Sequence, residues 1–109
     1  MFARIVSMRL RPNTAAEFIQ TIKKKILPIL RKQKGFRDEI TFVAPSRTEA
    51  VGISFWDTKE QADAYDNGRG YADLLKQLTN LLEGTLRVRS YDVADSTAHK
   101  NRRSISGAV

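Results

Sequence analysis

Residues 50–56, Ala50-Val51-Gly52-Ile53-Ser54-Phe55-Trp56, set Val51, Ile53 and Phe55 against Gly52, Ser54 and Trp56 in strict alternation. A period of two puts successive side chains on opposite faces, so this stretch reads as a strand. The turn residues Ala44-Pro45-Ser46-Arg47-Thr48 precede it. Before them, Phe36 to Val43 reads as a second strand, with Phe36, Ile40 and Phe42 on one set and Val43 on the other. So short a connection predicts an antiparallel hairpin.

Working outward, Phe2 to Leu10 is a further strand and is apolar on both sets: Phe2, Val6, Met8 and Leu10 on one, Ala3 and Ile5 on the other. Arg11-Pro12-Asn13 ends it. Thr14-Ala15-Ala16-Glu17 has the form of a capping box. The helix after it carries Phe18, Ile19, Ile22, Ile26, Ile29 and Leu30 as one stripe, with Lys23, Lys24 and Lys25 largely off that stripe. Pro28 removes a ladder hydrogen bond and predicts a bend. Lys32 and Lys34 suit the negative end of the helix dipole, and Gly35 is placed to stop the helix. Beyond Trp56, Asp57 is the expected N-cap of a brief helix, with Glu60 in its first turn. That helix ends around Asn67-Gly68-Arg69-Gly70. A further helix carries Leu74, Leu75, Leu78, Leu81 and Leu82 and is expected to end at Gly84. Residues 85–93 make the last strand, and a change of phase from Leu86 and Val88 to Tyr91 and Val93 predicts a bulge near Ser90.

The order is strand, helix, strand, strand, broken helix, strand. It predicts an α+β domain of the ferredoxin-like βαββαβ type over residues 1–94, built on an antiparallel sheet. Residues 95–109 read as a mobile basic tail. A sheet with one wet face alternates cleanly between apolar and polar, and these strands do not. A second copy packed sheet against sheet is the simplest cover, so a homodimer is expected.

The chain has 109 residues, a net charge of +7, no cysteine and one histidine. The absence of cysteine excludes disulfides, thiolate metal sites and cysteine nucleophiles. No apolar run approaches the ~20 residues that span a bilayer, and the start lacks a signal-peptide core, so a cytoplasmic protein with no membrane partner is expected. The basic residues are spread over a helix face, the strands and the tail without a nucleic-acid-binding motif, which argues against a nucleic-acid partner.

Three segments carry a family resemblance. Ser54-Phe55-Trp56-Asp57-Thr58-Lys59-Glu60-Gln61-Ala62 resembles the strand-end tryptophan and capped helix of antibiotic-biosynthesis-monooxygenase-like (ABM) domains. Leu30-Arg31-Lys32-Gln33-Lys34-Gly35-Phe36 is similar to that family's helix-to-strand corner, and Leu81-Leu82-Glu83-Gly84 to its last corner. The resemblance spans about residues 2–93. It implies a dimeric α/β barrel with a ligand cavity between sheet and helices. It also implies either cofactor-independent oxygenation of aromatic or quinol molecules or haem degradation. Trp56 matches the family's tryptophan. The asparagine and histidine of haem-degrading members have no counterpart, since Val6 and Ser7 occupy the first-strand positions and the lone histidine is His99. Where several quinol-metabolising relatives carry a histidine nine residues after the tryptophan, this chain has Tyr65.

The resemblance implies Trp56, Tyr65 and Tyr71 as catalytic candidates, Trp56 as pocket wall and the phenols as donors to a substrate oxygen. Packing alone would also account for a tryptophan at a sheet end and for tyrosines with one wet end. Ser7 and Ser54 are substrate-binding candidates on central strands. Arg4, Arg9, Arg87 and Arg89 are expected at the surface or at a dimer rim, although an inward arginine would select an anionic substrate. Asn67 to Gly70 reads as a turn, and His99 as solvated. No metal site and no cofactor are expected, with Asp57, Glu60 and Asp63 serving the first turn of their helix. The leading expectation is a cofactor-free monooxygenase of an aromatic or polyketide-like, hydrophobic small molecule. The alternative is a non-catalytic small-ligand-binding or stress-response protein of the same fold.

Overall fold

The computed structural model describes residues 1–97. The remainder of the expected tail, with His99, lies outside the described residues. The elements are β1 (Phe2–Leu10), α1 (Ala15–Thr21), a π-helical turn (Ile22–Ile26), α2 (Leu27–Arg31), β2 (Phe36–Val43), β3 (Glu49–Trp56), α3 (Lys59–Asp66), α4 (Arg69–Leu78), a 3₁₀ turn (Thr79–Leu81) and β4 (Leu82–Asp92). The four strands form one antiparallel sheet in the order β2-β3-β1-β4. This is the ferredoxin-like α+β arrangement that the element order predicts.

Register decides what each face carries. Val6 stands opposite Gly52 and Val88, and Ile5 opposite Ile53 and Arg89. Phe2, Arg4, Val6, Met8 and Leu10 therefore face the helices, while Ala3, Ile5, Ser7 and Arg9 face away from them. The helix-facing side holds the core, where Phe18 and Ala62 are fully buried and Trp56 is 1% exposed. On the outer side Ile40, Ile53 and Ile5 form one row across three strands, and Phe42 and Val51 pair beside it. Phe42 and Ile40 are exposed there, as is Tyr91 on β4.

Several local expectations change. Thr14 does sit at the N-cap of α1, but its hydroxyl donates to the Arg11 carbonyl at 2.7 Å and makes no capping bond, so the capping box does not form. Thr58, not Asp57, caps α3 by accepting from the Gln61 N–H at 3.2 Å. Asp57 instead accepts from Arg37. Ahead of Pro28 the helix widens into the π turn, in which the Leu27 N–H reaches back to the Ile22 carbonyl. Proline removes a ladder donor, and a widened turn is one way a helix redistributes its bonds around such a gap. Gly84 does not end a helix. It lies within β4 at φ +69°, where the register against β1 slips between Ser7 and Arg9. The bulge expected near Ser90 is thus at Gly84 to Leu86, and pairing runs unbroken from Arg87 to Asp92. A second slip, between Phe36 and Asp38, places Phe36 inward beside Trp56 while Ile40 and Phe42 point outward.

Gly35 ends the first helical arm at φ +84°, in the left-handed region that a Cβ disfavours. A Cβ here would overlap the Gln61 side chain, lying 2.8 Å from its Cβ. Gly35→Ala is expected to cost about 2 kcal/mol, the backbone penalty plus displacement of Gln61. Urea unfolding of the two proteins would measure it.

Candidate functional site

Between the inner sheet face and the helices lies a cavity of about 70 Å³, partly open to solvent and lined mainly by apolar side chains. Ile22, Ile26 and Leu30 reach it from the first helical arm, and Leu74 and Leu78 from α4. The π turn contributes the first two of these. Ile22 and Ile26 are four residues apart and so share one helix face.

The polar groups come mainly from the sheet. Glu39, Ser54 and Arg4 stand opposite one another across β2, β3 and β1, and all three line the cavity. Adjacent strands lie about 4.8 Å apart, so the outer two members of this row are separated by roughly 10 Å at the backbone. In the neighbouring row, Thr41, Gly52 and Val6 also line the cavity. Gly52 keeps that floor low: Glu39 Oε2 lies 3.7 Å from where a Cβ on Gly52 would stand.

Arg4 corrects the expectation of a surface arginine. It is 8% exposed. Its Nη2 donates to Asp63 Oδ1 at 2.9 Å, and its Nη1 pairs with Asp66. Asp63 and Asp66 are three apart on α3, hence on one helix face. Bonds from Lys59 and then Arg4 hold the Asp63 carboxyl below the ordinary aspartate range. The Arg4 Nε–H is buried without a partner among the described residues. An unpaired buried donor costs free energy, so it marks a place for an acceptor.

The aromatic candidates form a stack behind and beside this row. Trp56 and Tyr65 stack with ring centroids 5.2 Å apart. Tyr71 meets Tyr65 edge-on at 5.7 Å, and Phe36 meets Trp56 edge-on at 5.6 Å. Tyr65 and Tyr71 line the cavity; Trp56 is not among the lining residues and lies behind Ser54 and Tyr65. Its Nε1–H donates to Ser54 Oγ at 2.9 Å. The Ser54 hydroxyl has thereby accepted one bond and keeps its own proton to donate. The Tyr65 hydroxyl is buried without a partner among the described residues, and burial pushes its pKa upward. It therefore stays protonated, a donor, at neutral pH. Ser7 is not brought to the site: it pairs with Val51 and Arg87 on the outer face, because it has the opposite parity to Arg4 and Val6.

Glu39 is not singled out by the sequence, and Arg4 takes the inward place that the sequence offers only as the alternative to a surface one. Both share strand parity with cavity-facing neighbours, and that parity is the mark that could have found them. Burial raises the Glu39 pKa above the ordinary carboxylate value, against a lowering hydrogen bond from the Thr41 hydroxyl. A raised native pKa means that the folded chain binds the proton more tightly than the unfolded one. The stability contributed by Glu39 is therefore fully present below the unfolded value of about 4.3 and is lost as pH rises through the native pKa. Glu39→Gln is expected to raise the melting temperature at pH 7, with the gain vanishing as pH falls below about 4. Scanning calorimetry across that range would show it.

No protein-family model matches the sequence, and a comparison with curated proteins finds no match. Solved structures do match. A Bordetella bronchiseptica protein named as an antibiotic biosynthesis monooxygenase superposes with a TM-score of 0.77 at 12% identity, over 85% of this chain and 96% of that one. In fold, this chain resembles antibiotic biosynthesis monooxygenase-like (ABM-like) domains. A monooxygenase from the gene ActVA-Orf6 of Streptomyces coelicolor, solved with the ligand nanaomycin D, superposes on the ABM-like domain with a TM-score of 0.76. That pair is 16% identical over 87% of this chain and 88% of the other. A Nitrosomonas europaea protein named for the same activity gives a TM-score of 0.73 at 14% identity, covering 87% of this chain and 100% of its own. Among the described residues of the ABM-like domain, no cluster of three or more histidine, cysteine or acidic side chains could hold a metal ion. No helix among them is long and apolar enough to cross a membrane.

Proposed function

We propose that this ABM-like domain is a cofactor-independent monooxygenase that takes an aromatic or polyketide-like molecule into the cavity and works as a homodimer. One observation carries the reading: the Tyr65 hydroxyl is buried and unpartnered on the wall of a largely apolar cavity. An apolar wall suits a flat aromatic body, and an unpaired donor suits an oxygen on it. The likeness to the nanaomycin D-bound structure supports the same class of ligand.

The substrate must supply the electrons. A methylene between two aromatic rings, across the central ring from a carbonyl, loses one proton, and the resulting conjugated enolate transfers electrons to O₂ as a C–O bond forms. The peroxide then loses water and leaves a second carbonyl. One oxygen atom ends in the product and one in water, and the methylene is the reductant. Tyr65 would hold the enolate oxygen in a dry site, where a fixed donor is worth more than in water. The dimer rests on the outer face, where the isoleucine row and Phe42 present a contiguous apolar patch to a second sheet.

Oxygen uptake with anthrone, measured on chelator-treated protein, tests the activity. Catalysed uptake yielding one anthraquinone per O₂ is expected. Tyr65→Phe is expected to lower kcat by about 10²–10³-fold, as for loss of one oxyanion donor. Uptake no faster than the uncatalysed reaction would refute the enzymatic reading. Anthrone binding without uptake would identify a ligand-binding module instead.

A further inference from the structure

The proton that leaves the substrate methylene needs an acceptor. The donors in the cavity, Tyr65, Ser54 and Arg4, are suited to holding an anion, and none is suited to accepting a proton at neutral pH. Arg4 offers only N–H donors, and its carboxylate partners Asp63 and Asp66 are engaged by it. Glu39 differs. It lines the cavity with one carboxylate oxygen over Gly52, and its hydrogen bond is from Thr41 on its own strand. It stands at the end of the row opposite Arg4, with Ser54 between them.

We propose that Glu39 is the general base of this site: it takes the proton from the substrate methylene while Arg4 Nε and the Tyr65 hydroxyl hold the oxygen on which the charge settles. This rests on the proposed ligand site and adds a division of labour along the row. The C–H bond breaks and a carboxyl O–H bond forms on Glu39. The electron pair passes into the enolate, and no oxidant takes part in the step. The roughly 10 Å backbone separation of Glu39 and Arg4 leaves room for a ring between acceptor and anion holder. Gly52, lacking a side chain, leaves the carboxylate uncovered from below. The raised pKa of Glu39 makes it a stronger base than a solvated glutamate. The same row selects the substrate class, a carbon acid whose acidic C–H and oxygen lie on opposite sides of one ring system.

Charged and titratable groups near Glu39 are Asp38 on its own strand, Arg4 across the row on β1, and Tyr65, Asp66 and Tyr71 from the helices. β3 presents Ser54 and Gly52, and the first helical arm presents Ile22, Ile26 and Leu30, none of which titrates. The proton-transfer rate should therefore rise through one ionisation lying above the usual glutamate range.

The test separates proton transfer from oxygenation. Anthrone is incubated with the full-length protein in deuterated buffer without oxygen, and deuterium entry at the methylene is followed by mass spectrometry. Binding is measured in parallel by quenching of Trp56 fluorescence. The wild type is expected to accelerate exchange, and Glu39→Gln to lose about 10²-fold or more of that rate with affinity unchanged. Thr41→Val removes the bond that favours the carboxylate, so its pH–rate limb is expected to move to higher pH. Equal exchange in wild type and Glu39→Gln would overturn the assignment while leaving the ligand site intact. So would binding without accelerated exchange in the wild type. Absence of anthrone binding to the wild type would overturn the ligand site and this assignment together.

Discussion

Replacing Trp56 by alanine is expected to remove about 3–5 kcal/mol of stability, the range for deleting a buried aromatic side chain. Trp56 is 1% exposed, stacks on Tyr65 at 5.2 Å and closes edge-on against Phe36 at 5.6 Å. Its removal opens a hole that three elements, β2, β3 and α3, would have to collapse into. It also strips Ser54 Oγ of its indole donor. A domain of this size has about 5–15 kcal/mol in hand, so the variant should sit near the edge of folding at physiological temperature. Urea titration followed by circular dichroism would measure the loss. Trp56→Phe keeps most of the ring contact and should cost far less, while leaving the Ser54 hydroxyl without its indole donor. If that variant turns over anthrone like the wild type, Trp56 acts as a packing post and not as a participant. Its place behind Ser54 and Tyr65, off the cavity wall, favours that outcome.

Ile53→Asp is expected to dissociate the proposed homodimer. Ile53 is the middle of the row Ile40, Ile53, Ile5 on the outer face, with no helix among the described residues over it. Across a two-fold sheet-to-sheet contact each substitution enters twice, bringing like charges into an apolar interface. Such juxtapositions cost several kcal/mol, and each 1.4 kcal/mol is tenfold in the dissociation constant. Weakening by more than about 10²-fold should follow. Sedimentation velocity at micromolar concentration should find the wild type at twice the 12.3 kDa chain mass and the variant at that mass. A wild type sedimenting at the mass of one chain would remove the dimer from the account.

Alternation carries most of the fold. In β3 it runs unbroken from Val51 to Trp56, and the short turn before it leaves an antiparallel hairpin as the natural reading. The helical stripes are equally legible because Phe18, Ile22, Ile26 and Leu30 recur at four-residue steps. What fails is phase. Nothing in Phe36-Arg37-Asp38 marks the slip that turns Phe36 inward and Ile40 outward, since a bulge is set by pairing with the neighbouring strand. Gly84 follows a leucine run, where a helix stop and a strand bulge both call for a positive φ. Arg4 is obscured by its residue type: its parity with Phe2, Val6 and Met8 points inward, but an arginine is rarely buried without paired carboxylates. Those carboxylates, Asp63 and Asp66, lie some sixty residues away on α3. Ser7 shows the reverse case, a small polar residue on a central strand whose parity with Ile5 already sets it on the outer face. For Glu39, parity with Thr41 was the available mark, hidden by the slip before it.

Amide chemical-shift mapping tests most directly the proposal that the cavity between sheet and helices is a ligand site. Anthraquinone, shaped like the substrate but lacking its reactive methylene, would be titrated into isotopically labelled protein. Shifts concentrated at Thr41, Gly52, Ser54, Tyr65, Tyr71 and Leu74 are predicted. Shifts confined to outer-face residues such as Ile5, Ile40 and Ile53, or no shifts at saturating ligand, would contradict it.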